Sequence, residues 1–352
     1  MTMIPSSDGH LPRTRFAVVG VGYWGPNIVR NLHELPVAEL VSVCDVNESA
    51  LESIGRRYPA VRLTPRFRDI LEDTTIDAVV IATPVSTHYD LTRQALQSGK
   101  HVLVEKPLSG SSSEAADLIA LATSLGLVVM PGHTFLYSPS VVMIRELIVS
   151  GALGDIYFIS TSRVNLGLHQ ADVSVIWDLG PHDFSILRYW LGEAPSSVTA
   201  TSRDCVGSGA PDVAFISLTF PSGTIAHVEL SWLAPSKLRR TTVAGSERMV
   251  VYDDASTEPV RIFDSGVEHL PNPETFGEYR LTYRTGDIVS PRIEPTEPLL
   301  LELRDFIAAV RTGVLPRSHA ELGFDVVQII EAAHRSLDAS GAGVTVELAS
   351  PF

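Results

Sequence analysis

The stretch "GVGYWG" sets Gly20, Gly22 and Gly25 in the order G-x-G-x-x-G, between an apolar run, "RFAVVG", and a segment of helical spacing, "PNIVRNLHEL". Each glycine has its own physical task. The first permits a tight turn, the second lets a backbone come close to a pyrophosphate, and the third lets helix and strand pack closely. The helix that follows aims its N-terminal amides and the positive end of its dipole at the phosphates. The motif alone is weak, because any α/β fold can hold a glycine turn. Here it lies between strand and helix, and Asp45 falls 20 residues after Gly25, where a carboxylate accepts hydrogen bonds from an adenosine ribose. That carboxylate repels a 2′-phosphate, so NAD is expected over NADP, a preference that Arg56 and Arg57 soften.

The pattern around the loop extends it into a domain. Continuous apolar runs ("AELVSVCD", "DAVVIAT", "HVLVEKP", "LVVMPGH") alternate with amphipathic helices ("NESALESIGRRY", "VSTHYDLTRQALQSG", "SSSEAADLIALATSLG") up to residue 131. Strands without polar alternation are buried on both faces, which implies a parallel sheet covered by helices. Residues 1–131 are therefore read as an α/β Rossmann dinucleotide-binding domain.

From residue 132 the pattern changes. After one helix, "SVVMIRELIVSG", alternating strands dominate: "LGDIYFISTSRVN", "DVAFISLTF", "GTIAHVELSW", "RRTTVAGS" and "RMVVYDD". "PSG" at 221–223 reads as a hairpin turn. A helix, "HDFSILRYWLG", is expected to open at His182. Residues 132–352 are read as an α+β domain on a large, mostly antiparallel sheet, with C-terminal helices (297–340) packing near the domain junction. Residues 264–296 give the weakest pattern.

The chain has 352 residues, enough for two cores, and a net charge of −14 from 41 acidic and 27 basic residues. This balance argues against nucleic-acid binding and against an anionic membrane surface. Two cysteines, Cys44 and Cys205, make no disulfide framework, no apolar run approaches a membrane span, and the expected location is the cytoplasm. No Cys/His spacing suggests a metal. Three of the 27 basic residues are lysines: Lys100, Lys106 and Lys237. Lys106 ends a strand and precedes Pro107, which pushes it toward extended backbone at the carboxyl edge of the sheet, where ligands bind in open α/β folds. A solvated ion pair with Glu105 explains the same position.

A second cluster lies in "VIWDLGPHDF" (175–184), where Asp178 and His182 stand four apart. In helical geometry they share a face. A carboxylate beside an imidazole fixes the ring's orientation and tautomer. A capping aspartate and a surface histidine give the same letters. Three further histidines, His88, His101 and His133, are expected near the carboxyl edge in structural or cofactor-lining roles. Tyr23 and Trp24 are expected to pack around the glycine loop.

"GVGYWG", "IATPVSTH" (81–88), "VEKPLS" (104–109), "GALGDI" (151–156) and "WDLGPHD" (177–183), in this order, resemble the glucose–fructose oxidoreductase / inositol dehydrogenase (Gfo/Idh/MocA) family over about residues 14–345. The resemblance implies hydride transfer at a sugar or cyclitol carbon. It implies that Lys106 lies beside substrate and nicotinamide, faced by Asp178 and His182 from the second domain. Gly20, Gly22, Tyr23, Trp24, Gly25, Asp45, Thr83, Pro84, His88, Glu105 and Lys106 are the implied cofactor residues. In alcohol oxidation His182 accepts the proton, Lys106 stabilises the alkoxide, and Asp178 steadies the imidazole.

In the same resemblance Arg163 and Asn165 of "SRVNLGLHQ" meet substrate. "WLAPSKLRR" gathers Lys237, Arg239 and Arg240, a concentration of charge suited to a diphosphate or, equally, to guarding a strand edge. The phrasing of "VNLGLH" and "WDLGPHD" is most similar to the branch acting on nucleotide-linked sugars in bacterial polysaccharide or natural-product pathways. Oxidation at C3 of a UDP-sugar is one expectation and ketone reduction on a TDP- or GDP-sugar another. A free inositol or aldose dehydrogenase, an NAD-dependent glycosidase and a non-enzymatic NAD-sensing regulator share the fold. A homodimer or homotetramer is expected by analogy with the family.

Overall fold

Strands buried on both faces pair in parallel in the first part of the chain. The computed structural model describes residues 12–167, 173–269 and 281–346. Six strands, β1 (Thr14–Val19), β2 (Ala38–Cys44), β3 (Arg62–Thr64), β4 (Ala78–Ile81), β5 (His101–Glu105) and β6 (Val129–Gly132), form one sheet in the order β3-β2-β1-β4-β5-β6. Phe16, Ala17, Val18, Val79, Val80 and Val102 are fully buried in it. The strand order reverses between β1 and β4, and such a switch opens a crevice at the carboxyl ends of the strands.

The linking helices are α1 (Gly25–Glu34), α2 (Glu48–Arg57), α3 (Phe67–Leu71), α4 (His88–Gln97) and α5 (Ser112–Leu125). Their ends follow local chemistry. Pro26 sits in the first turn of α1, where its missing N–H costs nothing. Asn47 Oδ1 caps α2 by accepting from the amides of Ser49 and Ala50. Ser111 caps α5, and Gly126 ends it at φ 65°. The short β3 and α3 escape the sequence reading, because three- and five-residue elements carry no periodicity.

The second unit begins with α6 (Pro139–Val149), β7 (Ile156–Leu166) and α7 (Val175–Leu191). β8 (Ser197–Arg203), β9 (Val213–Thr219), β10 (Ile225–Ser231), β11 (Leu233–Gly245), β12 (Met249–Asp253), β13 (Val260–His269) and β14 (Leu281–Val289) follow. With β15 (Val344–Thr345) they form a nine-stranded sheet in the order β14-β13-β12-β11-β7-β10-β9-β8-β15. Its described pairs are antiparallel apart from β7 with β10. The alternation that predicts a half-buried sheet is visible in β9, where Ala214, Ile216 and Leu218 are buried and Phe215, Ser217 and Thr219 are exposed. The weakly patterned stretch 264–296 contains the end of β13 and all of β14; residues 270–280 lie outside the described part.

The last two helices, α8 (Pro298–Thr312) and α9 (Ala320–Asp338), part company. The reading of 132–352 as one block is corrected here: Leu299–Ala320 joins the first unit, while Glu321 onward stays with the second. The reason lies in α8's contacts. Phe306 is fully buried with its ring 6.1 Å from that of Phe16, and Arg311 donates to the carbonyls of Pro12 and Val37. α9 is tied to α7 by Arg188 and Asp325, 2.6 Å apart. If α8 completes the first core, Phe306→Ala will destabilise the protein by about 3–5 kcal/mol in denaturant titration, the range for a buried aromatic cut to a methyl. A loss below about 1 kcal/mol would show that α8 is peripheral.

Candidate functional site

The glycine loop is built by exclusion. A Cβ on Gly20, at φ 90°, would lie 2.6 Å from the Ala82 carbonyl oxygen, and one on Gly25 would overlap the Gly20 carbonyl oxygen. A Cβ on Gly22 would meet no protein atom within 4 Å. Packing therefore does not require glycine at 22, whereas close approach of a phosphate does. Asp45 closes the loop from β2: its carboxylate accepts from the Val21 amide at 2.6 Å and the Asn47 amide at 2.8 Å. Each carboxylate oxygen accepts more than one hydrogen bond, so a ribose hydroxyl can still be received. This donor and acceptor set fits a dinucleotide. Tyr23 does not pack around the loop; it stands out, 85% exposed, and its ring meets that of Trp24 edge-on at 5.7 Å.

Thr83 and Pro84 follow β4, and Lys106 follows β5, whose last residue is Glu105, so both motifs reach the carboxyl edge. The Lys106–Pro107 peptide is cis. Burial pushes the Glu105 carboxyl up, against the pull of Lys106. Of the structural and cofactor-lining roles expected of His88, its hydrogen bonds supply a structural one. Its ring is 1% exposed, with Nδ1 2.8 Å from the Pro107 carbonyl and Nε2 2.9 Å from the Thr83 carbonyl. It joins the two motif loops from beneath. His101 is corrected: it opens β5 at the amino edge, where Nδ1 accepts from the Val128 amide.

In the second unit Asp178 and His182 lie one turn apart on α7. The helix does not begin at His182. Ser174 is its N-cap, accepting from the Trp177 amide, and Pro181 lies inside it. Buried Val175 and Ile176 draw the earlier turn into the core, so tertiary packing overrides the proline. The Asp178 carboxylate accepts from Trp232 Nε1 at 3.2 Å, a partner that no spacing in the sequence announces. The His182 ring meets the Phe135 ring edge-on, 4.9 Å between centroids.

The expected substrate residues separate by sheet face. Arg163 is corrected from a ligand contact to a buried group, 5% exposed, with Nε 2.5 Å from Asp183 Oδ2. Arg239 pairs with Arg163 across β11 and β7, and both guanidiniums lie over Phe135, at 4.6 Å for Arg163 and 5.2 Å for Arg239. Asn165, two residues beyond Arg163, shares that face and is half-buried. Arg240 pairs with Ser162 and projects from the opposite face. The anticipated basic trio is thus split, because neighbouring strand residues point opposite ways. Lys237 is exposed. Leu168 and His169 of "VNLGLH" lie outside the described residues. Among the described residues no group of three or more His, Cys, Asp and Glu side chains is arranged to hold a metal ion, and no helix is long and apolar enough to cross a membrane.

Two family models match the chain. Residues 14–133 match the model of the oxidoreductase family with an NAD-binding Rossmann fold, and residues 141–251 match the GFO/IDH/MocA C-terminal domain. A protein of Magnetospirillum magnetotacticum MS-1, described as an oxidoreductase, is 30% identical, with 91% of this chain and 99% of that one covered and a TM-score of 0.77. GenD2 from gentamicin A biosynthesis, solved with NAD, is 27% identical over 99% of this chain and 100% of its own, with a TM-score of 0.83. The scyllo-inositol 2-dehydrogenase (NAD+) of Bacillus subtilis is 28% identical over 86% of this chain and 88% of its own.

Burial holds the His88 imidazole below its ordinary range; its two carbonyl partners oppose this, and the charge of Lys106 adds to it. A depressed histidine favours the fold above the unfolded pKa of about 6.5, and that contribution is lost as pH falls through the lower folded value. The difference in denaturant midpoint between the native protein and His88→Gln should therefore shrink as pH is lowered from 7 toward 5. A constant difference would show that His88 binds its proton equally in both states.

Proposed function

The chain belongs to the Gfo/Idh/MocA family of NAD(P)-dependent oxidoreductases acting on sugars and polyols, and from that premise we propose that its substrate is a nucleotide-linked sugar, oxidised or reduced at a secondary carbon such as C3. The observation that carries this reading is Arg239, on the sheet face that meets Phe135. Arg239 lies over the same Phe135 ring that His182 touches, and Lys237 is exposed two residues earlier. The Arg239 guanidinium, which also pairs with Asp254 at 2.9 Å, suits a diphosphate extending from the reacting sugar.

The cofactor is held by the Gly20–Gly25 loop, the first turn of α1 and Asp45, with NAD favoured because the Asp45 carboxylate opposes a 2′-phosphate. Bound there, NAD supplies the hydride acceptor. In oxidation His182 takes the hydroxyl proton, and Lys106 stabilises the developing alkoxide as a fixed cation. Asp178, anchored by Trp232, steadies the protonated imidazole. In reduction the same groups act in reverse.

A second reading is a free inositol or aldose dehydrogenase, which the names of curated relatives favour, among them the Bacillus subtilis enzyme and the D-apiose dehydrogenase of Paraburkholderia graminis. Following NADH absorbance with UDP-, TDP- and GDP-sugars against myo-inositol, xylose and glucose separates the two. Turnover confined to free polyols or sugars rejects the nucleotide-linked substrate. With the active substrate, Lys106→Ala should lower kcat by about 100-fold or more while NAD affinity is kept. A variant that retains most of its rate would remove Lys106 from the chemistry.

We also read the protein as a cytoplasmic homo-oligomer assembled through the outer sheet face. Phe158 and Ile225 are exposed and paired in register there, and Phe215 stacks on His227 at 6.1 Å. Sedimentation of Phe158→Glu should report a smaller species than the native chain; an unchanged mass would place the interface elsewhere.

A further inference from the structure

We propose that Arg163 and Asp183 are a positioning pair that holds His182 and sets its affinity for a proton. The inference rests on His182 as the proton acceptor. Asp183 is the next residue along α7, and successive helix positions diverge by about 100°. While His182 meets Phe135, Asp183 turns toward β7. There it accepts from Thr161 Oγ1 at 2.8 Å and from Arg163 Nε at 2.5 Å, with Nη2 at 3.5 Å, and Thr241 Oγ1 donates to Thr161 Oγ1 at 3.1 Å. Both side chains of the pair are nearly closed to solvent, 6% exposed for Arg163 and 4% for Asp183. Asp183 thereby anchors the turn of α7 that carries His182.

Phe135 couples the pair to His182 electrostatically. One face of the ring lies 4.6 Å from the Arg163 guanidinium carbon, and its contact with His182 spans 4.9 Å at 75°. The imidazole and a buried charge therefore meet the same aromatic ring. In poorly solvated surroundings that charge is felt strongly unless its partner cancels it. Other charged groups nearby are Arg239 on β11, over the same ring and paired with Asp254 at 2.9 Å, and Asp178, one turn before His182 on α7 and held by Trp232. Intact Arg163–Asp183 is neutral as a pair. Removing either member exposes His182 to the other's charge, with opposite signs.

The test needs no turnover. In the NAD-loaded full chain with labelled histidine, the His182 signals are identified by their loss in His182→Asn, and its titration midpoint is followed by NMR. Asp183→Asn should lower the midpoint by about half a pH unit or more, because an unbalanced guanidinium disfavours imidazolium. Arg163→Met should raise it by a similar amount, and Arg163→Lys, which keeps the charge, should leave it near the native value. The double variant Arg163→Met/Asp183→Leu, in which no buried charge remains, should also return it near the native value. Should Asp183→Asn fail to fold, Arg163→Met against the double variant carries the same comparison. Midpoints that stay together, or shift in the same direction in both single variants, overturn the proposal. If the midpoints move as expected but His182→Ala keeps full turnover, the fault lies with His182 as base and not with the pair.

Discussion

No methyl group fits on Gly25 against the Gly20 carbonyl, and none on Gly20 against Ala82. This closeness is what the first unit is organised around. It lets the end of β1 turn within a few residues into α1, directly beside β4, at the point where the strand order reverses. The Asp45 carboxylate then ties the loop to β2 through the Val21 amide, and His88 ties the loop after β4 to the loop after β5. The glycine loop, the Asp45 carboxylate and Lys106 come to one sheet edge because the backbone there has no slack.

The second unit achieves a similar result by burying charge. Asp183 and Arg163 leave water together, and Thr161, itself held by Thr241, donates to the carboxylate. Such a pair contributes little net stability, but it penalises any arrangement in which α7 slides or turns on the sheet. His182 inherits its place from that constraint, through the neighbouring residue and through the Phe135 ring.

Much of this was legible in the chain. The glycine spacing, the buried runs of β1, β4 and β5, and the carboxylate after β2 all announce themselves, because period and turn chemistry are local. The scarcity of lysine singles out Lys106, yet it marks Lys100 equally, and Lys100 donates to the carbonyls of Asp73 and Ile76 at the opposite edge. Composition does not distinguish a ligand-facing ammonium from one that staples two loops. The basic trio misled for a related reason. Arg239 and Arg240 are neighbours in sequence but lie on opposite faces of β11, and register with β7 decides which one meets Phe135.

By itself the sequence determined two folding patterns, a helix-covered parallel sheet and a half-buried antiparallel one, and the glycine turn that joins β1 to α1. Those properties depend on residues within a few positions of each other. The tertiary structure decided which unit owns α8, which arginine is buried, what Asp178 holds and where His88 spends its ring nitrogens. Each of these depends on at least one partner 19 to 299 residues away, joined by packing and hydrogen bonds that leave no periodic trace in the chain.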